Sequence, residues 1–65
     1  MENKIKLLRT QQGLSQEKLA IATGVTRQTI NAIEAVKYDP SLVLAFSLAK
    51  VLETTVDDLF GGNYD

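Results

Sequence analysis

Apolar residues return every three or four positions along this chain, and no stretch alternates apolar with polar over the length of a strand. That spacing writes a series of amphipathic helices. Turn and capping residues cut the series into five pieces. Asn3 to Gln12 carries Ile5 and Leu8 on one face and stops at Gly13. Ser15 caps a helix from Gln16 to Thr23, which ends at Gly24. Thr26 caps a third, from Arg27 to about Ala35, with Val25 and Ile30 placed to staple its start. Asp39-Pro40 marks a turn, and Ser41 opens a fourth helix through about Leu52. Thr55 opens a last one, Val56 to Phe60, with Asp57 and Asp58 in the first turn, where the helix dipole favours acids. The expected fold is all-α, a compact five-helix bundle.

Isolated helices this short are marginal in water, so these must hold one another. The expected core is Ile5, Leu8, Leu14, Leu19, Ala20, Val25, Ile30, Ile33, Leu42, Ala45, Leu48, Ala49, Leu52, Val56 and Leu59. Sixty-five residues make one domain, with a folded core over 2–60 and a short tail over 61–65. A core of that size rarely supplies more than about 3–5 kcal/mol, which makes oligomerisation an early expectation.

Two absences narrow the chemistry. With no cysteine there is no disulfide framework, thiolate metal site or cysteine nucleophile. With no histidine the commonest general base and metal ligand is missing too. Asp57-Asp58 is the one adjacent carboxylate pair, and helix initiation already accounts for it. An enzyme is therefore not expected, and neither is a cofactor, a metal or a small-molecule ligand. The longest apolar run, Leu42 to Phe46, falls far short of the ~20 residues that cross a bilayer. The charged N-terminus is followed by no apolar signal segment, so the expectation is a cytoplasmic protein that makes no membrane contact.

The net charge of −1 hides an uneven distribution. Residues 1–37 hold Lys4, Lys6, Arg9, Lys18, Arg27 and Lys37 against Glu2, Glu17 and Glu34, a balance of +3. Residues 38–65 hold Lys50 against Asp39, Glu53, Asp57, Asp58 and Asp65, a balance of −4. Chance clustering in a short chain is one explanation. The other is a face meant for a polyanion.

Residues 16–34 favour the second. They read as a helix, a three-residue turn and a second helix, with small Ala20 where two helices cross and Gly24 where the turn needs positive φ. On a wheel of 100° per residue, Ile30 and Ile33 set the inward side of the second helix. Arg27, Gln28, Asn31, Ala32 and Ala35 point away from it. That outward face has an Arg suited to guanine, two amides suited to adenine, small alanines and no acid. A solvated helix face is the plain alternative. A helix inserted in the DNA major groove better explains the missing acids.

The diagnostic stretches are Gly13 to Ala20, Gly24 to Glu34, Lys37 to Leu42 and Asp57 to Phe60. Through them the chain resembles the Cro and phage-repressor type of helix-turn-helix regulators over residues 2–60, and most of all their small stand-alone members. The resemblance implies a lambda-repressor-like DNA-binding domain in which Arg27, Gln28, Asn31 and Ala32 reach base edges. It implies phosphate contacts from Gln16, Thr26, Lys37 and Tyr38, and a structural ion pair between Arg9 and Glu34. The free amide groups at the starts of the helices at Gln16 and Arg27 give phosphate binding its own physical basis.

The chain also departs from the family pattern. Ala35-Val36 stands where Asn-Gly or Ala-Gly is usual, and Glu53 where Gly tends to end the fourth helix. Either these helices end differently here, or the protein tolerates a left-handed residue at a cost of ~1–2 kcal/mol. Leu7, Ile21, Val36 and Val43 occupy positions where polar residues are common, a sign of an oligomer surface. The functional expectation is a sequence-specific transcriptional regulator, a repressor, that binds double-stranded DNA at a two-fold symmetric operator as a homodimer. Val56, Phe60 and Tyr64 are expected at the dimer contact, with closure of the core the competing role for Phe60. A protein-interaction module on the same fold, such as an antitoxin or adaptor, is the alternative that the apolar surplus supports.

Overall fold

The computed structural model describes residues 1–61 and contains, among them, five helices and no strand. They are α1 (Ile5–Gln11), α2 (Gln16–Thr23), α3 (Arg27–Glu34), α4 (Leu42–Val51) and α5 (Val56–Phe60). Four of the five start on a side-chain cap. Ser15, Thr26, Ser41 and Thr55 each accept a hydrogen bond from the backbone N–H three residues on, at 3.0–3.2 Å.

The first helix starts differently, two residues later than its apolar spacing suggests. Asn3 does not enter it. Its Oδ1 accepts from the Ile5 N–H at 3.1 Å, and its amide donates to the Ile33 carbonyl at 2.9 Å, tying the entry of α1 to the end of α3. The Lys4 N–H donates to the Leu59 carbonyl at 3.0 Å. At the other end the Gln12 amide donates to the Leu52 carbonyl at 2.7 Å. Polar clips at both ends thus hold α1 against its neighbours.

All four of the longer helices end on a left-handed residue with paired reverse hydrogen bonds that satisfy their last carbonyls. At the end of α2, Gly24 (φ 75°) donates to the Ile21 carbonyl and Val25 to that of Ala20. Val36 and Glu53 do the same after α3 and α4, with φ of 60° and 58°. Val36 donates to Ile33 and Lys37 to Ala32; Glu53 donates to Lys50 and Thr54 to Ala49. So the helices keep the glycine-type ending without the glycine. The second sequence alternative, tolerated strain, is the one realised.

Helix α2 packs on both α3 and α4, and α4 packs on α5. Between them Ile5, Leu19, Ala20, Ile30, Ile33, Leu48, Ala49, Leu52 and Leu59 form one buried cluster, and Leu8, Leu14, Val25 and Val56 lean on it half-buried. Ala45 is buried as well. Leu42 is the exception to the expected core, at 69% exposed. It is the first residue of α4, and side chains on a helix tilt toward its N-terminus. Leu42 therefore leans off the end of the helix instead of over the cluster.

Candidate nucleic-acid interface

Helices α2 and α3 meet across the turn Gly24-Val25-Thr26. Ala20 is buried at the crossing, small enough to let the second helix approach, and Val25 fills the inside of the turn. Thr26 then begins α3. Its hydroxyl accepts from the Thr29 N–H at 3.2 Å and lies 3.0 Å from the Thr29 hydroxyl. Ile30 and Ile33 are wholly buried, which locks the rotation of α3 about its own axis. Arg27, Gln28, Asn31 and Ala35 are consequently exposed, with Ala32 half-buried beside them. Among the described residues, no acidic side chain of α3 is exposed on this face.

At its far edge Glu34 turns inward. Arg9 Nε donates to Glu34 Oε2 at 2.6 Å and Arg9 Nη2 to Oε1 at 3.1 Å, with 11% and 6% of the two side chains exposed. The Arg9 Nη1 donates to the Leu14 carbonyl at 3.2 Å. The hydrogen bond to Glu34 raises the guanidinium pKa above its ordinary value, desolvation working against it and the carboxylate's charge with it. Gln16 joins the pair, its amide donating to Glu34 Oε1 at 3.1 Å. Gln16 therefore sits at the start of α2 with one amide hydrogen engaged and its carbonyl turned to no protein partner among the described residues.

Two hollows flank the exposed face. One, of about 230 Å³, is lined by Lys6, Arg9, Gln16, Asn31, Glu34 and Ala35. The other, of about 290 Å³, is lined by Thr26, Gln28, Thr29, Ala32 and Tyr38. Lys37 is exposed just beyond α3, and Tyr38 is half exposed at the rim of the second hollow. Sequence reasoning passed over Lys6 and Thr29. Lys6 stands one helical turn before Arg9, so anchoring Arg9 to α3 carries Lys6 toward the same helix. That spacing was the available signal. Thr29 falls between the inward and outward directions of the wheel and gave none.

A helix-turn-helix family profile matches residues 5–59. The chain belongs to the helix-turn-helix family. An HTH-type transcriptional regulator of Methanocaldococcus jannaschii is 53% identical over 60 residues, 92% of this chain and 91% of that one. The HTH-type transcriptional regulator YgzD of Bacillus subtilis is 50% identical over the same shares. Among solved structures, the restriction-modification controller protein C.AhdI of Aeromonas hydrophila superposes with a TM-score of 0.81 at 37% identity, covering 88% of this chain and 86% of that one. SinR, a master regulator of biofilm formation solved in complex with DNA, gives 0.74 at 30% identity over 82% and 86%. The helix-turn-helix family is one of DNA-binding transcriptional regulators and not of enzymes, and the fold is lambda-repressor-like. Among the described residues no helix is long and apolar enough to cross a membrane.

Proposed function

We propose that this helix-turn-helix protein is a sequence-specific repressor that places α3 in the major groove of a two-fold symmetric operator as a homodimer, in the cytoplasm. One observation carries the reading: α3 is anchored by the wholly buried Ile30 and Ile33 while Arg27, Gln28 and Asn31 are all exposed. Arg27 is suited to guanine O6 and N7, Gln28 and Asn31 to adenine N6 and N7, and Ala32 to a thymine methyl. Gln16, Thr26, Lys37 and Tyr38 contact the backbone phosphates on either side, where they fix the register of the helix on the duplex.

The dimer surface in this reading lies on α4. Leu42, Val43 and Phe46 are 69%, 78% and 60% exposed on adjacent turns of one helix, a large apolar patch for so small a chain. Val56 and Phe60 are half-buried against the core, which fits Phe60 as a closing residue; Tyr64 lies outside the described residues. Selection of binding sites from random oligonucleotides, followed by footprinting, tests the proposal. A palindromic site with half-sites about 34 Å apart, one helical turn, is the expected result. Equal, weak binding of selected and random DNA at ~50 mM salt, where phosphate contacts are strongest, would defeat it.

A further inference from the structure

Rotation about α3 divides its exposed face into two flanks. At 100° per residue, Gln28 and Ala35 lie within about 20° of each other at the centre. Asn31 and Glu34 fall to one side, and Ala32 and Thr29 to the other. The two hollows follow the same division. Lys6 of α1 and Gln16 of α2 meet Asn31 and Ala35 on the first flank, whereas Thr26 and Tyr38 meet Ala32 and Thr29 on the second. A helix about 10–12 Å across fills a major groove about 12 Å wide, so each flank faces a different sugar-phosphate strand.

Resting on the reading of α3 as the groove helix, we infer that the two hollows are separate phosphate seats, one per DNA strand, and that Lys6 supplies the cation of the first. The carboxylate on the floor of that seat does not repel a phosphate as a free acid would. Glu34 already accepts two hydrogen bonds from the Arg9 guanidinium and a third from Gln16. Lys6 is exposed and forms no ion pair among the described residues, which leaves its charge for an anion. Gln16 keeps a second amide hydrogen to donate beside it. The second seat is built of hydroxyls instead: the Tyr38 phenol and the paired Thr26 and Thr29. Its grip comes from neutral hydrogen bonds and releases fewer counterions. The two hollows therefore grip by different chemistry, a cation in the first and hydroxyls in the second.

The test uses the selected operator with single phosphates replaced by uncharged methylphosphonates, one strand at a time, against wild type, Lys6→Ala, Lys6→Arg and Tyr38→Phe. Thermal melts first establish that each variant is folded, as exposed positions allow. Lys6→Ala is expected to lose its response to neutralisation on one strand of each half-site, with Lys6→Arg restoring it. Its salt slope should fall by about 0.9 for each protomer bound. Tyr38→Phe should lose its response on the opposite strand with little change in slope. If Lys6→Ala responds like wild type at every phosphate, or if both variants lose the same strand, the division is wrong although the groove reading stands. If wild type prefers no sequence before any phosphate is altered, the groove reading fails and the inference goes with it.

Discussion

The Arg9 guanidinium and the Glu34 carboxylate, 25 residues apart, face each other in a two-pronged pair that closes α1 onto the end of α3. The contact is nearly dry, so its two charges depend on each other. Glu34→Ala leaves a guanidinium buried without its partner and should lower unfolding stability by about 3 kcal/mol. Urea denaturation reads the loss as a lower midpoint. At a temperature where the variant remains folded, its ranking of operator sequences should match that of wild type. Because folding raises the Arg9 pKa, its contribution is complete at neutral pH and is lost in strong alkali as the pH rises through the raised value.

Val36 and Glu53 hold left-handed backbone conformations that suit glycine, and Val36 is β-branched as well. Val36→Gly and Glu53→Gly should each stabilise the fold by about 1 kcal/mol, relief of strain outweighing the entropy that glycine adds to the unfolded chain. Thermal melts should show a rise of about 4–8 °C for each such gain in a domain of this size. A fall in both variants would mean that the strain is smaller than the conformations imply.

Gln28 and Lys37 separate reading from gripping. Gln28→Ala should cost ~1–3 kcal/mol at one base pair and relax the preference there, leaving the other positions alone. Lys37→Ala should weaken all sequences alike and flatten the dependence of affinity on salt by about one unit of slope. Competition binding against a library of single-base operator variants distinguishes the two patterns.

Val43 and Phe46 test the oligomer. Both are exposed, so Phe46→Glu and Val43→Glu should leave the fold intact. Each should shift sedimentation at micromolar concentration toward the monomer, and operator affinity should drop as the two half-sites cease to be bound together. A dimer that persists in both variants would move the contact away from α4.

Most of the fold is legible in the sequence because helix signals are local. A hydroxyl at Ser15, Thr26, Ser41 or Thr55 caps the residue three along whatever the remainder of the chain does, and all four do so. The outward face of α3 was legible for a related reason. Once Ile30 and Ile33 are inside, the geometry of the helix turns Gln28 and Asn31 outward and leaves Arg27 exposed at the side. Spacing failed at the helix ends. Asn3 has the spacing of a first helical residue, but its side chain is drawn off to the Ile33 carbonyl thirty positions away. Leu42 has the spacing of a core residue, but among the described residues it is left exposed at the first turn of α4.

Local sequence therefore determined where the helices start, which side of each is apolar, and which side chains α3 presents. Those outcomes depend on neighbours within a turn or two, and a linear chain displays such neighbours directly. Tertiary structure alone decided that Lys6 comes beside Asn31, that Tyr38 comes beside Ala32, and that Val36 and Glu53 accept glycine's conformation. These depend on the angle at which whole helices pack, and that angle is a property of the assembled core, to which no single segment is privy.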